Sequence, residues 1–540
     1  MPLVPVVPVV AVDAFVHVVP VVPVEPMVLV VPAVAMETGK AMEPEGMAFF
    51  LKFFFVLQTK GFGQERTFSL CCLSMKTLAR ERLGTDPIGK LMFRMAAPSI
   101  VAMIMQSLYN TIDSIFVGKI SQASLAAVTL AFPVSMFTGA ISTGIGVGIN
   151  SSIARGLGEG DPDRPSKAAA NGLMIGIISY AVMLLLGIFG AKWFIGMYSK
   201  EEEVVTAGII YVRTITMLSF GQIFTQITFS ILQGSGNMVI PLFSQIAGAA
   251  TVLALDPLFI QVFKLGVMGA GMASGCAQIV SMGVGLYGVF VKNRNNLPVS
   301  LRNFKPDGKV ITDILAVGIP SALTQATTSV VSGIVNKVIA RYGSVAISVY
   351  GGYSKISSFG TLPVFGVTRG MTPILGYSYG AKNRSRFLEA RRIAAITAFI
   401  ISSIAGVFFI TMPQVVLNMI NATDEMRQIG MTAYRILGIS LFITGVAIVF
   451  AQSFPPAKRS YLTMAYTIAR QVGLLIPFIL LLSKLMGMTG VWWAYVVTDY
   501  LAFGIVFGMS IWFRKKVLDT WPDVVDNGNV ENKASEESKT

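Results

Sequence analysis

Long apolar stretches alternate with short polar loops along the chain from residue 91 to residue 513. Each stretch reaches the length of about 20 residues that a helix needs to cross a bilayer at about 1.5 Å per residue. The pattern predicts an all-α integral membrane protein with twelve transmembrane helices. The predicted spans, numbered 1 to 12, are residues 91–117, 123–149, 168–190, 203–231, 238–261, 266–291, 310–340, 345–373, 389–411, 424–452, 460–483 and 488–513.

The second half of this pattern repeats the first. Ala97-Pro98-Ser99 in span 1 corresponds to Ile319-Pro320-Ser321 in span 7, and Pro257 in span 5 corresponds to Pro477 in span 11. Because six is an even number of crossings, both copies have the same orientation in the membrane. The sequence therefore predicts two parallel six-helix repeats with a central cavity and a substrate site near the midplane. Glycines support the same alignment, with Gly146, Gly156, Gly160, Gly266 and Gly269 matching Gly366, Gly376, Gly380, Gly487 and Gly490.

Charge is distributed unevenly among the loops. The chain has 42 Lys and Arg against 28 Asp and Glu, a formal net charge of +14. The basic residues concentrate in the loops after spans 2, 6, 8, 10 and 12, whereas the alternate loops carry few. The positive-inside rule then predicts a multi-pass plasma (inner) membrane protein with both termini in the cytoplasm. Positive charge of this kind indicates anionic lipid rather than nucleic acid as the partner.

Two residue types are scarce, and their scarcity excludes several kinds of site. Only three cysteines are present, Cys71, Cys72 and Cys276, and they form neither a disulfide framework nor a metal-binding spacing. The single histidine is His17, far upstream of span 1. A histidine-dependent hydrolase, a haem site or a histidine-containing zinc site is therefore excluded from the predicted membrane region, and no resident cofactor is expected.

The regions outside the spans complete the predicted organisation. Residues 1–84 form a low-complexity extension that begins with a Val/Pro alternation, and frequent proline prevents a membrane helix there. This extension has two interpretations. It is either a signal peptide or a disordered extension, and in the latter case Met75 is an alternative start of the protein. The other predicted regions are an N-terminal lobe over 85–291, a basic cytoplasmic loop over 292–309, a C-terminal lobe over 310–516 and a polar, disordered tail over 517–540.

Two carboxylates stand inside predicted spans of the first half. Asp113 lies in span 1 without a basic residue within one helical turn, and Asp256 precedes Pro257 in span 5. A carboxylate in a membrane helix costs roughly 3 kcal/mol or more, so such residues mark functional sites by default. Burial also raises the pKa of a carboxyl group, which allows it to exchange a proton for a cation. The counterparts in the second half are Val335 and Ile476, which confines this chemistry to the first lobe.

Further polar residues in the spans are candidates for a substrate cavity. Asn110 lies one turn from Asp113 and can share its face of the helix. The basic residues of spans 7 and 8 either pair with carboxylates across the cavity or extend toward the membrane surface. The cavity candidates are Gln106, Tyr109, Asn336, Lys337, Lys355 and Arg369. Arg213, Arg435, Arg470 and Asp499 also fall in or near spans and have the same two interpretations.

Several motifs in chain order resemble one transporter family. They are Leu83-Gly-Thr-Asp-Pro-Ile-Gly-Lys-Leu91, Tyr109-Asn-Thr-Ile-Asp-Ser-Ile-Phe-Val-Gly118, Leu255-Asp-Pro-Leu-Phe-Ile260, Gly269-Ala-Gly-Met-Ala-Ser274 and Pro373-Ile-Leu-Gly-Tyr-Ser-Tyr-Gly-Ala-Lys-Asn383. Together they make the sequence similar to the multidrug and toxic compound extrusion (MATE) family, in its bacterial MepA-like branch. The resemblance implies two six-helix lobes arranged as a V and export of organic cations in exchange for H⁺ or Na⁺, by a protein that is not an enzyme. We expect a monomer.

The resemblance also implies roles for individual residues. Asp113 and Asp256 match the family's cation-coupling carboxylates, with a possible Na⁺ site between them, and Ser274 matches a hydroxyl residue on helix 6. The family's usual asparagine one turn before the second carboxylate is Val252 here, and Thr251 or Asn110 is the expected substitute ligand. An acidic pair on helices 7 and 10 is expected to be absent. Arg369 stands where the family usually has glutamine. A lipid-linked or polysaccharide flippase of the same superfamily remains the alternative function.

Overall fold

The structure is a computed structural model that describes residues 79–117, 122–197, 202–263, 265–293, 297, 299, 305–420 and 422–521. Ten of its segments are long and apolar enough to cross a membrane by length and composition. Ser344–Gly380 is an eleventh long helix, and the last apolar segment, Ser460–Leu518, contains two helices separated at Gly487. The twelve predicted spans are therefore confirmed in number and in order.

The twelve helices are numbered here in chain order, and short helices at Ala79–Thr85 and Pro413–Met419 lie outside the numbering. In the first lobe they are α1 Ile88–Val117, α2 Gln122–Glu159, α3 Arg164–Gly196, α4 Glu202–Gly234, α5 Val239–Asp256 and α6 Gly266–Tyr287. In the second lobe they are α7 Gly308–Ile339, α8 Ser344–Gly380, α9 Arg384–Thr411 and α10 Asp424–Gln452, followed by α11, which starts at Ser460–Ile468, and α12. The helix Ile476–Phe513 contains the end of α11 and all of α12.

The backbone reproduces the repeat that the sequence predicts. Gly266 begins α6 with φ of 56°, and its counterpart Gly487 separates α11 from α12 with φ of 60°. Side chains other than glycine rarely adopt this conformation, so the two glycines allow the same turn in each lobe. The fifth helix of each lobe also contains a π-helical segment near the matched proline. In the first lobe it is Pro257–Val262, and in the second it is Ala469–Leu475.

The lobes meet through their first two helices. Helix α1 packs on α8 and helix α2 packs on α7, which are equivalent pairs under the repeat. Glycines allow these helices to approach closely, as small residues commonly do in membranes. Gly144 faces Gly318 and Ala322, while Gly370 faces Ala96, and a methyl group at either glycine would clash with the opposite helix.

A second set of close contacts lies near the loops at the same end of the helices. A side chain at Gly158 would overlap the backbone of Tyr377, and one at Gly380 would overlap the backbone of Arg155. These residues lie next to the loops after α2 and α8, two of the loops in which basic residues concentrate. We call this end of the molecule, where the lobes are in contact, the joined end.

Candidate functional site

A pocket lies between the lobes, beyond the contacts of the joined end. Helices α1, α4 and α5 supply most of its lining, and Arg369 of α8 supplies the contribution of the second lobe. Its volume is about 10 Å³, which is room for about one water molecule. The polar side chains in its lining are Ser99, Gln106, Gln233, Gln245 and Arg369. Two predicted cavity residues, Gln106 and Arg369, are thus brought together.

The other predicted cavity residues lie elsewhere. Asn336 and Lys337 are exposed near the end of α7, and Lys355 is exposed in α8. None of the three belongs to the pocket that contains Arg369. The helix α1 runs through Tyr109, but the side chain of this residue lies outside the described part of the structure. Their roles in substrate binding stay predictions.

The side chains of Asp113 and Asn110 also lie outside the described part, but the helix that carries them is described to Val117. Ser99 of α1 is 3.5 Å from the sulfur of Met238, which immediately precedes α5, so these residues are at the same depth. From Ser99 and Met238 onward, α1 and α5 both run away from the joined end. Asp113 is fourteen residues beyond Ser99 and Asp256 is eighteen residues beyond Met238, so their backbones differ in depth by about one helical turn, or roughly 6 Å.

Asp256 is the last α-helical residue of α5, and its side chain is fully buried. The proline that follows cannot donate a backbone hydrogen bond, and the chain continues as the π-helical segment. Segments of this kind occur frequently at functional sites. With an exposed fraction of 0%, Asp256 does not face water.

Helix α6 packs along α5, and a pair of hydrogen bonds joins the two helices about three turns before Asp256. Ser244 and Ser281 donate hydrogen bonds to each other's carbonyl oxygens, at 2.5 and 3.0 Å. Ser274 is half-buried in the same helix. Val252 is buried one turn before Asp256 and has no oxygen to offer a cation, whereas the hydroxyl of Thr251 donates to the carbonyl of Ala247 at 2.8 Å. Among the described residues, no group of three or more His, Cys, Asp or Glu is arranged to hold a metal ion.

The sequence analysis missed a buried charge cluster at the joined end. Asp313 of α7 is 5% exposed and lies 2.5 Å from the Arg155 guanidinium of α2, 3.1 Å from that of Arg164 and 2.7 Å from the Lys458 ammonium. Ser152 also donates a hydrogen bond to it at 3.3 Å. We call these five residues the junction cluster. Arg155, Arg164 and Ser152 belong to the first lobe, so the cluster ties the lobes together.

Helix α7 thus has a carboxylate, but Asp313 lies at the joined end rather than with Lys337 near the opposite end of the helix, and it pairs with basic residues. The signal was present in the sequence. Asp313 falls three residues into predicted span 7, and Arg155 and Lys458 fall in two of the basic loops. Asp313 is 158 residues from Arg155 and 145 residues from Lys458 in the chain, so no local pattern reveals that they are in contact.

A second buried charge cluster lies within the second lobe. The guanidinium of Arg470 donates two hydrogen bonds, at 2.9 and 2.6 Å, to one oxygen of Asp499, and Thr444 donates to the other oxygen at 3.2 Å. Arg470 lies in the π-helical segment of α11, and its partners lie in α10 and α12. We call these three residues the C-lobe cluster. The sequence left two interpretations for Arg470, pairing with a carboxylate across the cavity or extension toward the membrane surface. Arg470 does pair with a carboxylate, but within the second lobe rather than across the cavity.

Comparisons with known proteins agree with this architecture. The model of the MatE family matches the chain twice, over residues 98–258 and 320–481. These matches begin at Pro98 and Pro320, the two prolines that the internal repeat aligns. Multidrug export protein MepA of Staphylococcus aureus (strain MSSA476) is 20% identical over 419 residues, which cover 77% of this chain and 92% of that protein.

Solved structures show the same fold. A multidrug resistance MATE family transporter of the MOP superfamily, in an outward-facing conformation, matches with a TM-score of 0.78 and 27% identity, over 82% of this chain and 99% of that one. A MOP superfamily transporter from Pyrococcus furiosus, described as having a binding pocket of reversed polarity that suggests a different function, matches with a TM-score of 0.77 and 26% identity. That match also covers 82% of this chain and 99% of the other.

Proposed function

This chain belongs to the MatE family of multi-pass membrane transporters, and on that premise we propose that it exports organic cations from the cytoplasm in exchange for H⁺ or Na⁺. In this proposal Asp113 and Asp256 bind the coupling ion and the cationic group of the substrate in turn, and the cleft between the lobes receives the substrate. The observation that carries the proposal is the complete burial of Asp256 beside the π-helical segment of α5, within about one helical turn in depth of Asp113. The similarity to multidrug export protein MepA supports export of drugs as the direction and cargo.

The joined end faces the cytoplasm in this proposal. Arg155, Arg164 and Lys458 cluster there, together with the loops that follow α2, α8 and α10. The positive-inside rule favours the cytoplasmic side for such a concentration of basic residues. The structure then corresponds to a state in which the cytoplasmic entrance is closed and the cleft faces outward.

Transport follows from exchange at one set of carboxylates. In the outward-facing state an entering proton or Na⁺ neutralises Asp113 and Asp256, which removes the negative charge that holds a cationic substrate. The substrate leaves, the lobes rock, and the junction cluster separates so that a new substrate enters from the cytoplasm. The ion stays bound while the lobes rock, because an unneutralised carboxylate in a low-dielectric site is costly. It leaves to the cytoplasm when the new cationic substrate replaces it at the carboxylates.

The available driving force is sufficient for useful export. One charge crossing a potential of 100 mV supplies about 2.3 kcal/mol. A difference of one pH unit adds about 1.4 kcal/mol per proton. One coupled proton therefore sustains a gradient of roughly a few hundred-fold for a neutral substrate, and a smaller one for a monocation exchanged one for one.

The test is ethidium efflux from cells that express the protein or its variants. Asp113→Asn should abolish efflux, because an amide neither releases a proton nor binds a cation with comparable strength, while the amount of protein in the membrane stays the same. Asp256→Asn should reduce efflux severely for the same reason. Glu389→Gln is the matched control, since Glu389 is an exposed carboxylate of α9 and should tolerate the change. Unchanged efflux in Asp113→Asn would contradict the coupling role.

Membrane vesicles distinguish the two coupling ions. Uptake of ethidium into inverted vesicles is measured under an imposed proton gradient and, separately, under an imposed Na⁺ gradient. Transport driven by only one of them identifies that ion, and transport driven by neither would contradict antiport. Asp113→Asn vesicles serve as the background.

A further inference from the structure

Arg391 is a buried arginine of α9 that has no carboxylate partner among the described residues. It lies seven residues from the start of the helix, about 10 Å from the joined end, and is 9% exposed. Its guanidinium donates one hydrogen bond, to the hydroxyl of Ser510 at 2.7 Å, and lies 5.2 Å from the centre of the Phe450 ring. An arginine placed in this way in a membrane helix is a candidate for a binding site.

Arg391 crosses a groove between α9 and α12. Each of these helices packs on α10, but the two do not pack on one another. Phe450 of α10 forms the floor of the groove, and its ring lies 6.3 Å from that of Phe503 and 5.9 Å from that of Phe507. Phe503, Phe507 and Ser510 are spaced by four and three residues, so they share the face of α12 that borders the groove.

Positive charge is in excess at the end of the groove nearest the joined end. Arg514, one turn after Ser510, is 51% exposed and close enough to Arg391 for their charges to repel each other. Asp519 lies 2.8 Å from Arg384 and 3.6 Å from Arg514. Glu389 of α9 is exposed and forms no ion pair with a described residue. Three guanidinium groups therefore share a single carboxylate, which leaves this end of the groove able to hold an anion.

The remainder of the groove is apolar. It continues along α12 over the rings of Phe450, Phe507 and Phe503, and Phe507 is exposed where the groove opens at the surface of the helix bundle. Exposed apolar side chains of membrane helices lie against the acyl chains of lipids. A free phosphate ion would leave the aromatic floor uncovered, whereas a phospholipid occupies both the cationic and the apolar part.

We propose that this groove binds an anionic glycerophospholipid. Its phosphodiester accepts hydrogen bonds from Arg391 and Arg514, because a guanidinium pairs well with a phosphate, and one acyl chain lies along Phe450 and Phe507. The orientation proposed above places the groove in the cytoplasmic leaflet, where anionic lipids are available and basic pockets between helices bind their head groups. The bound lipid would join α9 to α12 in the second lobe, and this site is separate from the cleft that receives the substrate.

The experiment compares two lipids that differ in net charge. Phosphatidylglycerol and phosphatidylcholine with the same acyl chains both contain the phosphodiester, but only the first is an anion. Native mass spectrometry of the full-length protein in detergent gives the dissociation constant of the first lipid bound. We expect phosphatidylglycerol to bind about ten times more tightly, as two cationic groups near the head group provide. Equal affinities would overturn the proposal.

Neighbouring residues provide matched controls for the groove. Arg391→Gln and Arg514→Gln should each reduce the preference for phosphatidylglycerol severalfold, whereas Arg392→Gln and Lys515→Gln remove adjacent, exposed charges and should keep it. Arg514 is exposed, so its variant tests the site even where Arg391→Gln folds poorly. A preference that falls equally in all four variants would show attraction to the general charge of this end of the protein and overturn the groove as a site.

Two further measurements test other occupants. Phosphatidylglycerol should raise the unfolding temperature of the unmodified protein, because it binds the folded state, and glycerol phosphate at the same concentration should not. An equal rise with glycerol phosphate would assign the groove to a soluble phosphate. A chain that ends at Trp521 lacks the acidic residues of the tail and should bind phosphatidylglycerol with the same affinity. A tenfold gain in affinity on this truncation would assign the groove to the tail. Either result would overturn the lipid site.

Discussion

The junction cluster and the C-lobe cluster contain the same chemistry in different mechanical settings. Both have an aspartate that is 5% exposed and that pairs with an arginine, Asp313 with Arg155 and Asp499 with Arg470. The partners in the junction cluster come from both lobes, whereas Thr444, Arg470 and Asp499 all belong to one lobe. A movement between the lobes breaks the first cluster and leaves the second intact.

The surroundings of the two clusters differ in the same sense. Arg155 of the junction cluster is only 2% exposed, but Lys458 at its edge is 54% exposed, so water reaches one side of the cluster while the lobes are in contact. Arg470 is only 24% exposed, and the hydroxyls of Tyr350 and Tyr495 form a hydrogen bond of 2.7 Å between α8 and α12 of the same lobe. Buried ion pairs contribute little net stability but are costly to leave half-formed. We infer that the junction cluster is a reversible contact and the C-lobe cluster a permanent one.

The largest effect is expected from breaking the permanent cluster. Arg470→Met leaves Asp499 buried with only the Thr444 hydroxyl, and the loss of one partner of a buried pair costs about 3–5 kcal/mol. Thermal unfolding of the detergent-solubilised protein should therefore begin at a markedly lower temperature. The double variant Arg470→Met/Asp499→Leu should recover much of the loss, since it removes both charges. A single variant as stable as the unmodified protein would contradict a structural role for the pair.

A smaller effect on a different observable is expected at the junction cluster. Asp313→Asn leaves Arg155, Arg164 and Lys458 next to one another without their carboxylate, but the amide oxygen still accepts a hydrogen bond, so the expected loss is about 1.5–3 kcal/mol. Because the cluster bridges the lobes, the change should favour their separation at the joined end. Spin labels at cysteines that replace Asp163 and Ser385, both exposed and in different lobes, report this as longer distances.

The two variants together decide whether the comparison holds. Asp313→Asn should lengthen the distance between the labels, while Arg470→Met should leave the distances of its folded fraction unchanged. Longer distances in both variants would mean that the C-lobe cluster also responds to movement. Unchanged distances in Asp313→Asn would make the junction cluster a permanent contact.

The smallest effect is expected at the exposed edge of the junction cluster. Lys458→Met removes the partner that is 54% exposed, and ion pairs of such residues contribute about 0–1 kcal/mol. The distances between the labels should shift only slightly, and the shift should shrink further at high salt, because salt screens exposed pairs. A shift as large as that of Asp313→Asn would show that Lys458 rather than Arg155 holds the aspartate.

The candidate site was partly predictable from local sequence. Asp256 was identified by its position before Pro257 in an apolar span, and its burial agrees with a functional carboxylate. Arg369 was identified as an intramembrane cation and lines the pocket, but Lys355, chosen on the same grounds, is exposed on the same helix. A charge inside a span is visible in sequence, whereas the direction in which its helix presents it depends on the neighbouring helices.

The sequence by itself determined the number, order and approximate bounds of the helices. The length of an apolar run is a local property, and the thickness of the bilayer decides whether a run of that length crosses the membrane as a helix. It also determined the repeat, since prolines and glycines recur in the same order in both halves, and the matched pair Gly266 and Gly487 allows the same turn in both lobes. Only the tertiary structure decided that Asp313 meets Arg155 and that Asp499 meets Arg470. Such pairs depend on how each helix is rotated against its neighbours, which is set by close packing of small residues far apart in the chain.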